Sequence, residues 1–144
     1  MTVLELGDPL AHRALQALVR AEASVRRALA AELERQGVSA AGFSALVVLT
    51  TAGGSLELRV LRRRLGWSKA GATEVVDTLE ARGLVLRRRL PQDRRAVAVY
   101  LTPEGRGLVE KLFPEHASRV ARAFGALDET EKRSLAELCR KLAA

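Results

Sequence analysis

Cysteine is almost absent: Cys139 is the single thiol in 144 residues. A lone cysteine excludes an intramolecular disulfide and cannot build a structural zinc site. His12, His116 and Cys139 are scattered along the chain, so no metal and no cofactor are expected. Aromatic residues make up only 3%, which leaves aliphatic side chains to build the core. Long apolar runs are missing too. Runs such as residues 45–49 fall far short of the roughly 20 residues that span a bilayer, so no membrane association is expected. Residues 1–9 include Glu5 and Asp8 and do not read as a signal peptide. A soluble cytoplasmic protein is the expectation. Enzyme signatures are also lacking. There is no Walker loop and no Ser/His/Asp set in a nucleophile context. Gly105-Arg106-Gly107 resembles the start of a dinucleotide fingerprint, but Glu110 stands where its third glycine belongs. No enzyme and no catalytic residue are expected.

What is present is Ala, Leu and Arg, all good helix formers. Apolar residues reach 48%, enough for the core of one domain. The net charge is +7, and its location is more informative than its size. Residues 59–95 hold eleven basic and four acidic side chains, whereas the rest of the chain is balanced at thirteen of each. A basic segment inside a neutral protein is the electrostatic footprint of a nucleic-acid surface. The bland alternative is a solvated arginine-rich face.

Periodicity organises the chain. Leu10, Ala14, Leu18, Ala21, Val25, Ala28 and Leu33 predict an amphipathic helix over residues 9–36, ended by Gly37. Its length and its Ala/Leu stripe call for a partner. Ser39 caps a second helix over 40–52, and Gly53-Gly54 stops it. A short third helix covers 58–65. Gly66 and Ser68 then separate it from a fourth over 69–82, whose buried stripe is Ala72, Val75, Val76 and Leu79. A short helix, a tight glycine turn and a longer helix make a helix-turn-helix. Trp67 lies in that turn and is expected to pack on the core.

The period then changes. Residues 84–90 and 96–101 read as two strands joined by a loop at 91–95. A hairpin directly after a helix-turn-helix is a wing. Thr102-Pro103-Glu104 opens a fifth helix to about residue 124, with a bend expected near Pro114. Asp128 and Glu131 have capping-box spacing and open a last helix through Leu135, Leu138 and Leu142. The fold class expected is mainly α: a winged helix-turn-helix with a two-stranded wing and flanking dimerisation helices.

Three stretches, in order and correctly spaced, carry a family resemblance. They are Val76-Asp77-Thr78-Leu79-Glu80-Ala81-Arg82-Gly83-Leu84-Val85, Asp93-Arg94-Arg95-Ala96 and Leu101-Thr102-Pro103-Glu104-Gly105. Together they resemble the MarR family, the multiple-antibiotic-resistance type of transcriptional regulator. The resemblance covers nearly the whole chain. It implies a single domain over 1–144, with a DNA-binding region at 38–101 and helical dimerisation regions at 1–37 and 102–144. It further implies a homodimer on a pseudo-palindromic operator in double-stranded DNA, with the fourth helix in the major groove and the wing tip in the minor groove. The expected function is a sequence-specific regulator, a repressor released by a small aromatic or anionic effector. The rival readings are an architectural DNA-binding protein, a winged-helix protein-interaction module and, less favoured, an enzyme with an unfamiliar site. The chain departs from the family pattern at Arg59, Gly71, Ala72 and Glu74, which bears on the operator sequence rather than on the fold.

The candidate DNA-binding residues follow. Lys69, Ala70, Gly71, Thr73 and Glu74 lie on the early part of the fourth helix. Lys69 suits phosphate or guanine, Thr73 a thymine methyl or phosphate, and Glu74 a cytosine amino group or an ion pair with arginine. Small Ala70 and Gly71 let backbone approach DNA. Arg87 and Arg89 share one strand face and suit phosphate or solvent. Asp93, Arg94 and Arg95 form the wing tip, where Asp93 is expected to hold the Arg95 guanidinium in a forked pose. The resemblance also implies an effector pocket, with His12, Phe43 and His116 as candidate lining. Cys139 is expected to be buried or inert at the dimer interface.

Overall fold

A computed structural model describes residues 4, 5 and 7–144 of the chain. Residues 1–3 and 6 of the expected 1–37 region lie outside the described residues. The elements run α1 (Pro9–Arg35), α2 (Ala40–Thr51), β1 (Ser55–Glu57), α3 (Leu58–Leu65), α4 (Lys69–Ala81), β2 (Val85–Leu90), β3 (Asp93–Leu101), α5 (Pro103–Ala123) and α6 (Glu129–Ala143).

Local chemistry sets the helix starts. Asp8, Ser39, Ser68 and Thr102 each accept a backbone N–H three residues on, at 2.9–3.1 Å. Each bond satisfies a donor that the first helical turn leaves free. The capping box before α6 is complete, with Glu131 N–H on Asp128 at 2.8 Å and Asp128 N–H on Glu131 at 3.0 Å. Between α3 and α4 the chain turns at Gly66, whose φ of 68° is left-handed backbone that a side chain disfavours. The α5 helix runs unbroken through Pro114.

One element was not visible in the sequence. The expected two-stranded wing belongs to a three-stranded antiparallel sheet of order β1-β3-β2. Ser55, Leu56 and Glu57 pair with Tyr100, Val99 and Ala98. Three residues are too few to show an alternating pattern, so β1 exists only because β3 offers it an edge. The wing loop is also shorter than expected. β3 begins at Asp93, leaving Pro91-Gln92 as the turn, with a register irregularity between Arg89 and Leu90.

The core joins Phe43, Leu46 and Leu49 of α2 to Leu61, Val76, Leu79, Val85 and Val99. Val109 brings α5 onto this cluster, Leu33 brings the end of α1, and Trp67 packs partly buried against it. The first half of α1, residues 9–22, is exposed, including Leu10, Leu15, Leu18 and Val19. No residue of α6 is buried, and Leu138 and Leu142 are 61% and 74% exposed. The chain therefore consists of a finished core plus two helices whose apolar stripes are uncovered.

Core, wing and α5 meet at one junction. Thr102 is the buried polar residue there. Its hydroxyl donates to the Gly83 carbonyl at 2.6 Å and accepts the Gly105 N–H at 3.0 Å. Its own N–H donates to the Leu84 carbonyl at 3.1 Å. Gly105 lets α5 lie directly on the backbone of Leu84: a Cβ there would collide with the Leu84 carbonyl oxygen and stand 2.8 Å from the Leu101 methyl. The Leu84 backbone cannot swing aside as a side chain could, so relief is not cheap. Gly105→Ala is expected to cost about 1–3 kcal/mol as an overpacked site, read as a lower urea midpoint. Gly107→Ala, one turn position on with open space around it, should instead gain roughly 0.5–1 kcal/mol from helix propensity.

Candidate nucleic-acid interface

Four cations of the basic segment, Arg59, Arg62, Lys69 and Arg95, converge on one groove. The start of α4, the start of α3 and the start of β3 border a groove of about 710 Å³. Arg59 and Arg62 line it from α3, Lys69 and Thr73 from α4, and Gln92, Asp93 and Arg95 from the wing. Lys69, Ala70, Thr73 and Glu74 are exposed, while Gly71 is half-buried beside the Ser68 cap. The Thr73 hydroxyl donates to the Lys69 carbonyl at 3.0 Å, a helix-internal bond that occupies its proton. Glu74 has no ion-pair partner among the described residues, so the arginine pairing weighed for it is not formed.

Arg59 and Arg62 were not singled out from the sequence as contacts. Their i, i+3 spacing was the available signal, because it places both on one face of α3. What could not be read was that this face turns toward the wing.

The wing tip differs from expectation in one respect. Asp93 accepts the backbone N–H of Arg95 at 3.0 Å, and no ion pair joins it to the Arg95 guanidinium among the described residues. An aspartate at a tight turn bonds the main chain two residues on because that donor is the nearest one. Asp93 thus shapes the backbone that carries Arg95 and leaves its side chain exposed. Arg94 presents its carbonyl to Arg89 Nη1 at 2.6 Å, which braces the two strands of the wing.

Arg87 is also placed differently from expectation. Its guanidinium is taken by Glu80, with Nη2 at 3.0 Å and Nε at 3.3 Å from Oε1, and by Asp77. Its backbone N–H donates to Glu80 Oε2 at 2.9 Å. These bonds, the backbone one first, hold the Glu80 carboxyl below the usual carboxylate range. Arg89 shares the strand face but not this clasp.

A second site lies away from the groove. A cavity of about 160 Å³ opens between the end of α1 (Glu32, Leu33, Gln36) and α5 (Lys111, Leu112, Glu115, His116, Arg119). The volume is comparable to engineered cavities of roughly 150 Å³ that take up one benzene ring. His116 packs tilted against Phe43, ring centroids 4.9 Å apart, but Phe43 is buried in the core behind it and does not line the cavity. His12 is not with them: it is exposed on α1, twenty residues before Glu32 or about 30 Å along a helix. Arg119 and Glu32 replace it as polar lining, 3.8 Å apart, and Arg119 also pairs with Glu115 at 2.8 Å. The Glu32 carboxyl is held below its usual range by Arg35 and Gln36, with smaller help from Arg119. His116 Nδ1 and Arg119 Nε are buried without a hydrogen-bond partner, an arrangement that costs stability until an acceptor or donor arrives. Burial, then the Arg119 charge, pushes the His116 pKa down. Cys139 is exposed on α6 in the single chain. No group of three metal-ligating side chains occurs among the described residues.

Comparison with known proteins decides the family. The MarR family description matches residues 38–97. The HTH-type transcriptional regulator YkoM of Bacillus subtilis (strain 168) is 34% identical over 122 residues, covering 85% of this chain and 79% of YkoM. The chain belongs to the MarR family. Among solved structures it is similar to Sco3205, a MarR family transcriptional regulator of Streptomyces coelicolor in complex with DNA. That likeness has a TM-score of 0.82 at 25% identity and covers 99% of this chain and 89% of that one. It is also similar to BpsR of Bordetella bronchiseptica, whose DNA binding is regulated by 6-hydroxynicotinic acid. Here the TM-score is 0.72 at 28% identity, covering 95% of this chain and all of that one (100%). This MarR protein is a transcriptional regulator with a winged helix-turn-helix fold.

Two outcomes test the geometry. Asp93→Asn keeps an oxygen for the Arg95 N–H and should bind duplex DNA at least as tightly as the parent. Asp93→Ala, which removes the same negative charge, should bind roughly two- to ten-fold more weakly, the worth of one exposed hydrogen bond. Anisotropy titration separates the two, and tighter binding by both would reduce Asp93 to a mere charge. For His116 the folded pKa lies below the ordinary value near 6.5. The unfolded chain therefore binds the extra proton first, and stability present above that pH falls as the solution is acidified through it. His116→Phe should flatten the melting-temperature profile in this range.

Proposed function

We propose that this MarR protein is a non-enzymatic, cytoplasmic repressor that binds a pseudo-palindromic operator as a homodimer and is released by a small aromatic or anionic effector. The observation that carries the proposal is the basic groove. Cations from α3, α4 and the wing converge on it, and the whole surplus of charge lies in the segment that builds it. Residues 38–101 act as the DNA-binding region in this reading, and the helices on either side as the dimerisation region.

The uncovered stripes of α1 and α6 supply the reason to dimerise. Leu10, Leu15, Leu18 and Val19, with Leu135, Leu138 and Leu142, stand exposed in the single chain. Patches of this kind are covered in a stable protein, and a second copy covers them symmetrically. Two-fold symmetry then presents two copies of α4 to half-sites one helical turn, about 34 Å, apart. In each half-site Lys69, Ala70, Gly71, Thr73 and Glu74 face the major groove. Arg94 and Arg95 reach the minor groove, and Arg59, Arg62 and Arg89 face phosphates. DNA binding by Sco3205 supports the mode.

The cavity between α1 and α5 is the proposed effector site. Its orphaned His116 and Arg119 nitrogens suit the carboxylate or hydroxyl of a one-ring ligand, with Leu33 and Leu112 beside the ring. The regulation of BpsR by 6-hydroxynicotinic acid supports this class. A ligand that binds the released form better than the DNA-bound form shifts the population by that difference in affinity.

Selection of bound sequences from a random duplex pool tests the central claim. The expected result is an enriched inverted repeat, and a pool that stays random would make the protein a general DNA coater. On the selected site, log K should fall with log salt by about 0.9 for each phosphate neutralised. Sedimentation should give twice the 15.6 kDa of one chain, and a single-chain mass at micromolar concentration would sink the dimer. Monocyclic aromatic acids at saturation should weaken operator binding in the parent but not in Arg119→Ala.

A further inference from the structure

Arg87 lies in the basic segment, yet its charge is spent inside the protein. It stands on β2, an edge strand of the sheet. An edge strand carries outward N–H groups with no strand to receive them. Glu80 of α4 fills that gap with Oε2 on the Arg87 N–H at 2.9 Å, while Oε1 takes the guanidinium at 3.0 Å. Asp77, one turn earlier on α4, takes the same guanidinium. Asp77 and Glu80 are spaced i, i+3, so one helix face presents both carboxylates to one arginine. Arg87 is only 27% exposed at the side chain and Glu80 33%, so the pair is shielded in part from solvent screening.

The clasp ties together the two parts of the protein that meet DNA. α4 carries Lys69 and Thr73, while β2 leads directly to Arg89 and the wing tip. Asp77 and Glu80 lie two to three turns beyond Lys69 on the same helix. We propose that Arg87, Glu80 and Asp77 are positioning residues that set the angle between recognition helix and wing, so that both grooves are read at once. The proposal rests on the DNA-binding reading above. It assigns Arg87 a role other than phosphate contact, and it gives two acidic residues a positive effect on binding to a polyanion.

That sign makes the test. Glu80→Gln removes a negative charge from the basic segment, so on charge alone it tightens binding to any duplex. If the clasp positions the wing, Glu80→Gln weakens operator binding by roughly three- to ten-fold, leaves binding to random duplex unchanged or tighter, and leaves the salt slope as in the parent. Arg87→Gln should lose as much or more, and the Arg87→Gln/Glu80→Gln double variant no more than Arg87→Gln, because both remove one interaction. All variants are compared at a temperature where circular dichroism shows them fully folded. Operator binding by Glu80→Gln that tightens in step with random duplex would overturn the proposal. So would operator binding equal to the parent alongside a lowered melting temperature, which marks a purely structural pair. A slope shallower by about 0.9 in Arg87→Gln would make Arg87 a phosphate contact instead. If the parent itself prefers no sequence, the DNA-reading proposal fails and this one fails with it. Variants that misbehave on a discriminating parent overturn the clasp alone.

Discussion

The contact between the start of α5 and the backbone of Leu84 is the constraint on which the other parts depend. Thr102 holds three backbone positions at once: the Gly83 carbonyl at the end of the α4 segment, the Leu84 carbonyl before β2, and the Gly105 N–H inside α5. Recognition helix, wing and dimerisation helix are therefore referred to one point. A small residue at 105 is required because backbone, not a movable side chain, occupies the space where a Cβ would go. The Leu101-Thr102-Pro103-Glu104-Gly105 motif thus has a mechanical meaning. Thr caps and ties, Pro and Glu suit the helix start, and Gly permits the approach.

Burial is divided unevenly across this junction. On one side Phe43, Leu46, Leu49, Leu61, Val76, Val85 and Val99 are fully buried. On the other, α1 buries Leu33 alone and α6 buries nothing. The cavity between the end of α1 and α5 lies at the border, where α1 leaves the core.

Within the basic segment the acidic residues are the informative ones. Four of them sit among eleven cations, where each reduces attraction to a polyanion. Three have partners that explain their presence. Asp93 shapes the turn under Arg95, and Glu80 with Asp77 holds Arg87. Geometry at the wing is maintained at some expense in charge, a sensible exchange if reading a sequence matters more than adhering to any duplex. Glu74 alone, exposed on α4, has no ion-pair partner among the described residues.

Much of this was legible in the chain itself. Caps at Ser39, Ser68, Thr102 and Asp128, glycine stops and a 3.6-residue period located all six helices to within a residue or two, because those signals act over a few residues. The wing hairpin was legible for the same reason, as was the concentration of charge in one segment. Residues far apart in sequence were decided otherwise. β1 has no pattern of its own and forms by pairing with β3. Arg87 and Arg89 look alike on their strand, and only the approach of α4 takes one into a clasp and leaves the other to brace the wing. His12 was grouped with Phe43 and His116 by helix membership, whereas the length of α1 carries it away and puts Arg119 and Glu32 in its place. Asp93 went to the nearest main-chain donor rather than to the guanidinium that sequence proximity suggested. Local hydrogen bonding and periodicity are written residue by residue, so the sequence alone determined the helices, the wing hairpin and the sign of their surface. Which charges are consumed internally and which remain for a partner depends on distances between elements, and only the packed structure decided that.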